Sequence, residues 1–302
     1  MIYFLFIYIS LFLSYLLFYP SLALSNMFGA IDVPNRRKIH SIPTARGGGF
    51  AIFIAFSLAL ICVPVEIDLK IPLVLGSTVI FLVGFIDDAI NLSPPLKLSG
   101  QILALGIYNL ILHLLNYEIS ITQGILSAIW IIFITNATNL IDGLDGLAGG
   151  ICASEALCIS VIAFILESYE IMMCGLLLLG AIAGFLPRNF PKAKIFMGDC
   201  GALFLGFTLA ILSSRLIIES ENIVCLFSVF LIFRVPSYDT NISIIRRIAK
   251  RKNPFNADKE HFHHLLLKHG FSKECATLLL ITVSLLFGLF GIVLLWNWTK
   301  CF

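Results

Sequence analysis

Acidic and amide side chains fall in short clusters along this chain, several of them punctuated by glycine. Asp87 and Asp88 close Gly84-Phe-Ile-Asp-Asp, and Asn136, Asn139, Asp142 and Asp145 share Asn-Ala-Thr-Asn-Leu-Ile-Asp-Gly-Leu-Asp-Gly. Asp199 stands in Phe196-Met-Gly-Asp-Cys-Gly, Asp239 follows Pro236, and Asp258 precedes His261-Phe-His263-His264. Carboxylate and amide oxygens are hard ligands that suit Mg²⁺, an ion that keeps several waters and completes its shell with substrate phosphates. Lys97, ten residues after Asp87, and the other nearby lysines and arginines can hold phosphate oxygens as point charges or forks. A lone aspartate of this kind is an ordinary solvated cap, and Asp-Gly serves tight turns without any chemistry. The metal-and-phosphate reading therefore depends on the clusters meeting in space. The histidines fit hydrogen bonding to phosphate or sugar oxygens, with a zinc site as the alternative, although no cysteine joins them.

The elements that must bring these residues together are membrane spans. Of 302 residues 59% are hydrophobic and only 13% charged, whereas soluble chains hold near 45–50% and about 25%. Apolar stretches long enough to approach the roughly 30 Å hydrocarbon layer occur at about 2–24, 47–65, 71–86, 98–115, 121–138, 147–166, 171–186, 201–218, 222–235 and 275–298. The first lacks a basic leader segment and reads as a retained helix. An all-α polytopic bundle of about ten transmembrane helices is expected, as one domain over residues 1–302.

Placing both termini outside puts all of the 20 Lys and Arg residues except Lys70, Arg215 and Lys300 on or beside the inner connections, as basic residues prefer. The candidate site residues then all lie on that inner, cytosolic face. Residues 241–252 carry Ile242, Ile244, Ile245 and Ile248 against Arg246, Arg247, Lys250 and Arg251, the pattern of a basic amphipathic helix at an anionic leaflet or of a span end with flanking charge. The net charge of +2 is too small for nucleic-acid binding through counterion release. The eight cysteines form no C-x-x-C pair and read as small apolar packers.

Taken in order, these motifs resemble the polyprenyl-phosphate N-acetylhexosamine-1-phosphate transferases of glycosyltransferase family 4. The match takes in Asp32-Val-Pro-Asn-Arg-Arg-Lys-Ile-His40 with Pro43 and Gly47-Gly-Gly49, the Asp87-Asp88 pair, the Asn136–Gly146 run, Phe196-Met-Gly-Asp199, Pro236 to Asp239, and Asp258 to His264. The resemblance implies transfer of a HexNAc 1-phosphate from a UDP-sugar, UDP-GlcNAc in the first instance, to polyprenyl (undecaprenyl) phosphate in the plasma membrane, with release of UMP. It implies Mg²⁺, with Mn²⁺ as the alternative ion, held by Asn139 and Asp199. Lys97 matches the phosphate-binding lysine and Asp145 the position that contacts uracil, with Asn136 and Asp142 beside it. Asp87 and Asp88 match the acidic pair near the attacking phosphate, and His261, His263 and His264 the histidine motif. The resemblance also allows a homodimer.

Successive helical residues point about 100° apart, so Asp87 and Asp88 are expected to differ in role: Asp87 near the acceptor phosphate, Asp88 beside the metal. Two departures from relatives are Cys200 after Asp199, where many carry a hydroxyl residue, and Asn91, where some carry an acid. A secondary transporter of an anionic solute is the rival reading, but transporters put their coupling residues near the bilayer midplane in broken helices.

Overall fold

The computed structural model describes residues 2–34, 43–250 and 261–300, with side chains from Phe4 onward. Arg36, Arg37, Lys38, His40, Arg251, Lys252, Asp258, Lys259 and Cys301 lie outside the described residues.

The chain is a helical bundle with one small hairpin. Helices α1 (Ile2–Leu16) and α2 (Phe18–Met27) lead into strands β1 (Ile31–Asp32) and β2 (Thr44–Ala45) and then α3 (Gly49–Cys62). There follow α4 (Ile67–Ile90), α5 (Pro94–Leu114), α6 (Ile121–Ile141), α7 (Leu147–Ile165), α8 (Tyr169–Asn189) and α9 (Gly198–Ser220). The chain closes with α10 (Ile223–Ile232), α11 (Arg234–Ala249), α12 (Phe262–Lys268) and α13 (Lys273–Thr299). Among the described residues, seven helices are long and apolar enough to cross a membrane, or nine if the bent pairs α1–α2 and α10–α11 each count as one span. The shortfall from ten is α3, whose 14 residues cover only about 21 Å at ~1.5 Å per residue.

The two breaks share a cause. The chain bends by 44° between α1 and α2 and by 73° between α10 and α11. In each case a proline, Pro20 or Pro236, occupies the third position of the new helix. Proline lacks an N–H and sits most easily in a first turn, where that donor has no intrahelical partner, so each proline favours starting a new helix there.

Helix α9 runs through the centre. From Cys200 to Leu216 every residue is buried, and α9 packs against α4 on one side and α6 on the other. Being apolar nearly all round, it has no face to offer lipid. Its N-terminus carries Asp199, so that carboxylate starts at the middle of the bundle rather than on its rim. Helix α4 approaches this end closely: a Cβ on Gly84 would stand 2.5 Å from the Cys200 Cα, so only glycine permits the contact that sets Asp87 and Asp88 beside Asp199.

Helix α11 has two unlike sides. Tyr238, Ile245 and Ile248 face outward, whereas Asp239, Thr240, Ser243 and Arg247 are buried. The polar side turns inward because α11 packs on α6, whose last turns carry Asn136 and Asn139. The described cysteines are all free and most are buried, as expected of packers.

Candidate active site

The end of α4, the start of α5, the end of α6 and the start of α9 meet around one ammonium group. Lys97 enters from the first turn of α5, whose Ser93-Pro94-Pro95 start fixes the helix entry. Its Nζ lies 2.5 Å from Asp87 Oδ2 and 2.7 Å from Asp199 Oδ2. Asn139 Nδ2 donates to Asp199 Oδ1 at 2.8 Å. Two carboxylates and an amide from three helices thus converge within one ion's reach, and the cation between them is Lys97. This donor set fits a hard divalent ion. Rotation of the Asn139 amide would present its oxygen instead of its nitrogen.

The paired aspartates diverge as their 100° separation requires. Asp87 accepts from Leu92 N at 2.6 Å through Oδ1 and turns Oδ2 to Lys97. Asp88 spends both oxygens on backbone, accepting from Asp199 N at 2.9 Å and Cys200 N at 3.0 Å. It caps the start of α9 from across the helix interface, where two N–H groups would otherwise lack partners. Gly198 makes the turn into this cap at φ +75°. Asn91 ends α4 with φ 54°, a left-handed conformation that asparagine tolerates better than most residues.

Beside Asp199 lies a cavity of about 280 Å³ whose lining includes Asp142, Asp145, His263 and His264. The loop after α6 supplies the first two. Asp145 Oδ2 accepts from Ala193 N at 3.1 Å, tying this loop to the segment between α8 and α9. Burial, then Asp199 and Asp88, push the Asp142 carboxyl up to about 7, with Arg46 opposing. His263 is buried, and a Cβ on Gly143 would collide with its ring. Burial, with His264 and His261 nearby, lowers its pKa to about 3 despite Asp239, so the imidazole is neutral at working pH.

Two predicted site residues, Asn136 and His261, belong neither to the cavity lining nor to the contacts around Lys97 and Asp199. Asn136 forms a reciprocal pair with Gln101, donating to Oε1 at 2.7 Å and accepting from Nε2 at 3.1 Å. His261 is held through Nδ1 by Asp239 Oδ2 at 2.7 Å, and Asp239 Oδ1 also accepts from Phe262 N at 2.7 Å. These contacts make Asn136 a bridge between α5 and α6, and Asp239 the anchor of α12.

Further cavity residues went unassigned in the sequence. Asn189 joins two loops, accepting from Gly146 N at 2.9 Å and donating to Ile195 O at 2.9 Å; a single asparagine at a helix end gives no warning of this. Asp32, Arg46 and Lys273 also line the cavity. Asp32 and Arg46 come together because β1 and β2 pair antiparallel, Ile31 opposite Ala45 and Asp32 opposite Thr44. Both lie in or beside recognised motifs, and two-residue strands are too short to show a period.

A further acidic group, Glu66, Asp68 and Glu170, brings its carboxylate oxygens within 4.8 Å of one another, but it sits at the opposite end of α4. The convergence at the Asp199 end, set in a bundle of membrane-spanning helices, is the make-up of an integral-membrane phosphotransferase. The model of glycosyl transferase family 4 matches residues 71–217. The chain is 34% identical to a probable undecaprenyl-phosphate N-acetylglucosaminyl 1-phosphate transferase of Bacillus subtilis, over 88% of this chain and 77% of the relative. It is 31% identical to a decaprenyl-phosphate N-acetylglucosaminephosphotransferase of Mycolicibacterium smegmatis, over 84% and 72%. It is also 31% identical to an undecaprenyl-phosphate alpha-N-acetylglucosaminyl 1-phosphate transferase of Thermotoga maritima, over 87% and 81%. The chain belongs to glycosyl transferase family 4.

Proposed function

We propose that this multi-pass membrane enzyme transfers GlcNAc 1-phosphate from UDP-GlcNAc to undecaprenyl phosphate, yielding undecaprenyl-diphospho-GlcNAc and UMP. The reaction would take place at the cytosolic face of the plasma membrane and initiate a surface glycan. The observation that carries the proposal is the meeting of Asp87 and Asp199 at Lys97, with Asn139 bonded to Asp199, beside a cavity lined by Asp142, Asp145 and two histidines. The activities for which the three relatives are named support the sugar phosphate and the polyprenyl acceptor.

Asp199 and Asn139 would hold Mg²⁺, with Asp87 at the edge of its shell; when bound, the ion offsets the charge of the donor diphosphate. The acceptor is a phosphate monoester with a second pKa of about 6, so it is mostly dianionic at neutral pH and needs little help from a base. Asp87 therefore orients Lys97 rather than removing a proton. Lys97, released from its carboxylates, meets phosphate oxygens and screens the approach of two anions. Asp88 positions Asp199 by fixing the first turn of α9. The buried neutral His263 and its neighbour His264 offer hydrogen bonds at the cavity wall, while the loop bearing Asp142 and Asp145 faces the nucleoside.

Purified protein given UDP-GlcNAc, undecaprenyl phosphate and Mg²⁺ is expected to release UMP, and chelation with EDTA to stop it. Uptake of an anionic solute into vesicles without UMP release would instead support a carrier.

A further inference from the structure

Arg46 presents an unusual combination of a fixed backbone and a guanidinium among acids. Its N–H donates to Ala30 O at 2.9 Å, and on either side of it Phe196 N donates to Ala45 O at 2.8 Å and Gly47 N to Ser25 Oγ at 3.0 Å. Gly198 passes so close to the Arg46 carbonyl that a Cβ there would clash with it. The backbone is therefore pinned between α2, the hairpin and the start of α9. Arg46 Nε lies 3.7 Å from Asp32 Oδ1 across the hairpin, and the side chain is 29% exposed, within the cavity wall. Burial works against its charge, but Asp32, Asp88, Asp199 and Asp142 outweigh it and hold the guanidinium above its ordinary pKa.

The cavity needs such a group. Asp32, Asp142, Asp145 and Asp199 line it, and among its lining residues the permanent cations are Arg46 and Lys273. Lys97 is not one of the lining residues, being engaged with Asp87 and Asp199. A nucleotide diphosphate entering beside these four acids needs cations to offset the repulsion. A planar fork fixed at the backbone and aimed by a carboxylate is preorganised for phosphate oxygens.

We propose that Arg46 is a donor-binding residue whose guanidinium, aimed by Asp32, grips the diphosphate of the nucleotide sugar inside the cavity. The assignment rests on the reading of the function given above and adds a residue to it. Asp32 is then a positioning residue.

The test uses the full-length protein in nanodiscs with Mg²⁺. Arg46→Gln is expected to raise the KM for UDP-GlcNAc at least about tenfold and to weaken calorimetric binding of UDP more than that of uridine. The KM for undecaprenyl phosphate is expected to stay within about twofold. Asp32→Asn should shift the donor KM in the same direction by less, with kcat changed little. Butanedione labelling of the wild type, read by peptide mass, should show Arg46 protected by UDP-GlcNAc; this arm stands even if the variants do not fold. Wild-type turnover with an unchanged donor KM in Arg46→Gln, or Arg46 labelling indifferent to UDP-GlcNAc, overturns the assignment and leaves the enzyme reading intact. A wild type that neither binds nor turns over UDP-GlcNAc overturns both.

Discussion

The two ends of the α4–α9 pair use the same residue types to opposite effect. At one end Arg215 of α9 is buried against Asp68 of α4 at 3.0 Å and Glu219 at 2.9 Å, with Tyr117 covering the guanidinium at 3.8 Å. At the other, about 30 Å away by helix rise, Asp87 and Asp199 hold Lys97 beside an open cavity, with Asp88 capping the start of α9. The Arg215 cluster is closed: its cation is shared between two acids and capped by a ring. Both ends hold more acid than cation, but the Lys97 cluster also has a cavity beside Asp199, and that space is what a metal and a phosphate can use. A count of charged residues at helix ends would rank the two alike.

The largest expected break in this contrast is Asp199→Ala, which should lower UMP release by about a thousandfold or more, whereas Asp68→Asn at the far end should leave the turnover of folded protein within about twofold. Asp88→Asn comes next. It weakens two charge-assisted bonds to the start of α9 and should cost about ten- to a hundredfold in activity, together with about 1–3 kcal/mol of stability, read by UMP assay and thermal melting. Arg215→Met should do the reverse. Leaving Asp68 and Glu219 without their partner should cost about 2 kcal/mol, discounted because both acids are partly exposed; the melting temperature falls while the kcat of surviving enzyme holds. The smallest effect concerns Asp142. Its carboxyl is lifted to about 7 from 3.8, so the folded state binds the extra proton and ligand-free stability falls as pH rises from about 4 to 7. Asp142→Asn should flatten the dependence of melting temperature on pH between about 5 and 8, and an unchanged slope would remove Asp142 from the electrostatics of the cavity.

Much of this contrast could be read from the chain. Apolar runs located the helices because a span must be long and nearly uncharged, and the Asp-Asp, Asn-x-x-Asn and Gly-Asp clusters marked the acids because each sits at a run's end. That Asp87 and Asp88 make different contacts followed from helical geometry; which of them serves the acceptor phosphate and which the metal did not. What escaped was set by backbone pairing and neighbours distant in sequence. The Asp32–Arg46 pair needs a hairpin of two-residue strands, which no period announces. Asn136 looked like a ligand, yet Gln101 on another helix engages it.

The staple made by Asp88 has a consequence for movement. With Gly84 pressed on Cys200 and two backbone amides held by one carboxylate, α4 and α9 travel as a single strut, and nothing between them can hinge. On the proposed function, whatever yields to admit the polyprenyl acceptor or release UMP would belong to the other wall, where His263 and His264 ride on a seven-residue helix moored by Asp239.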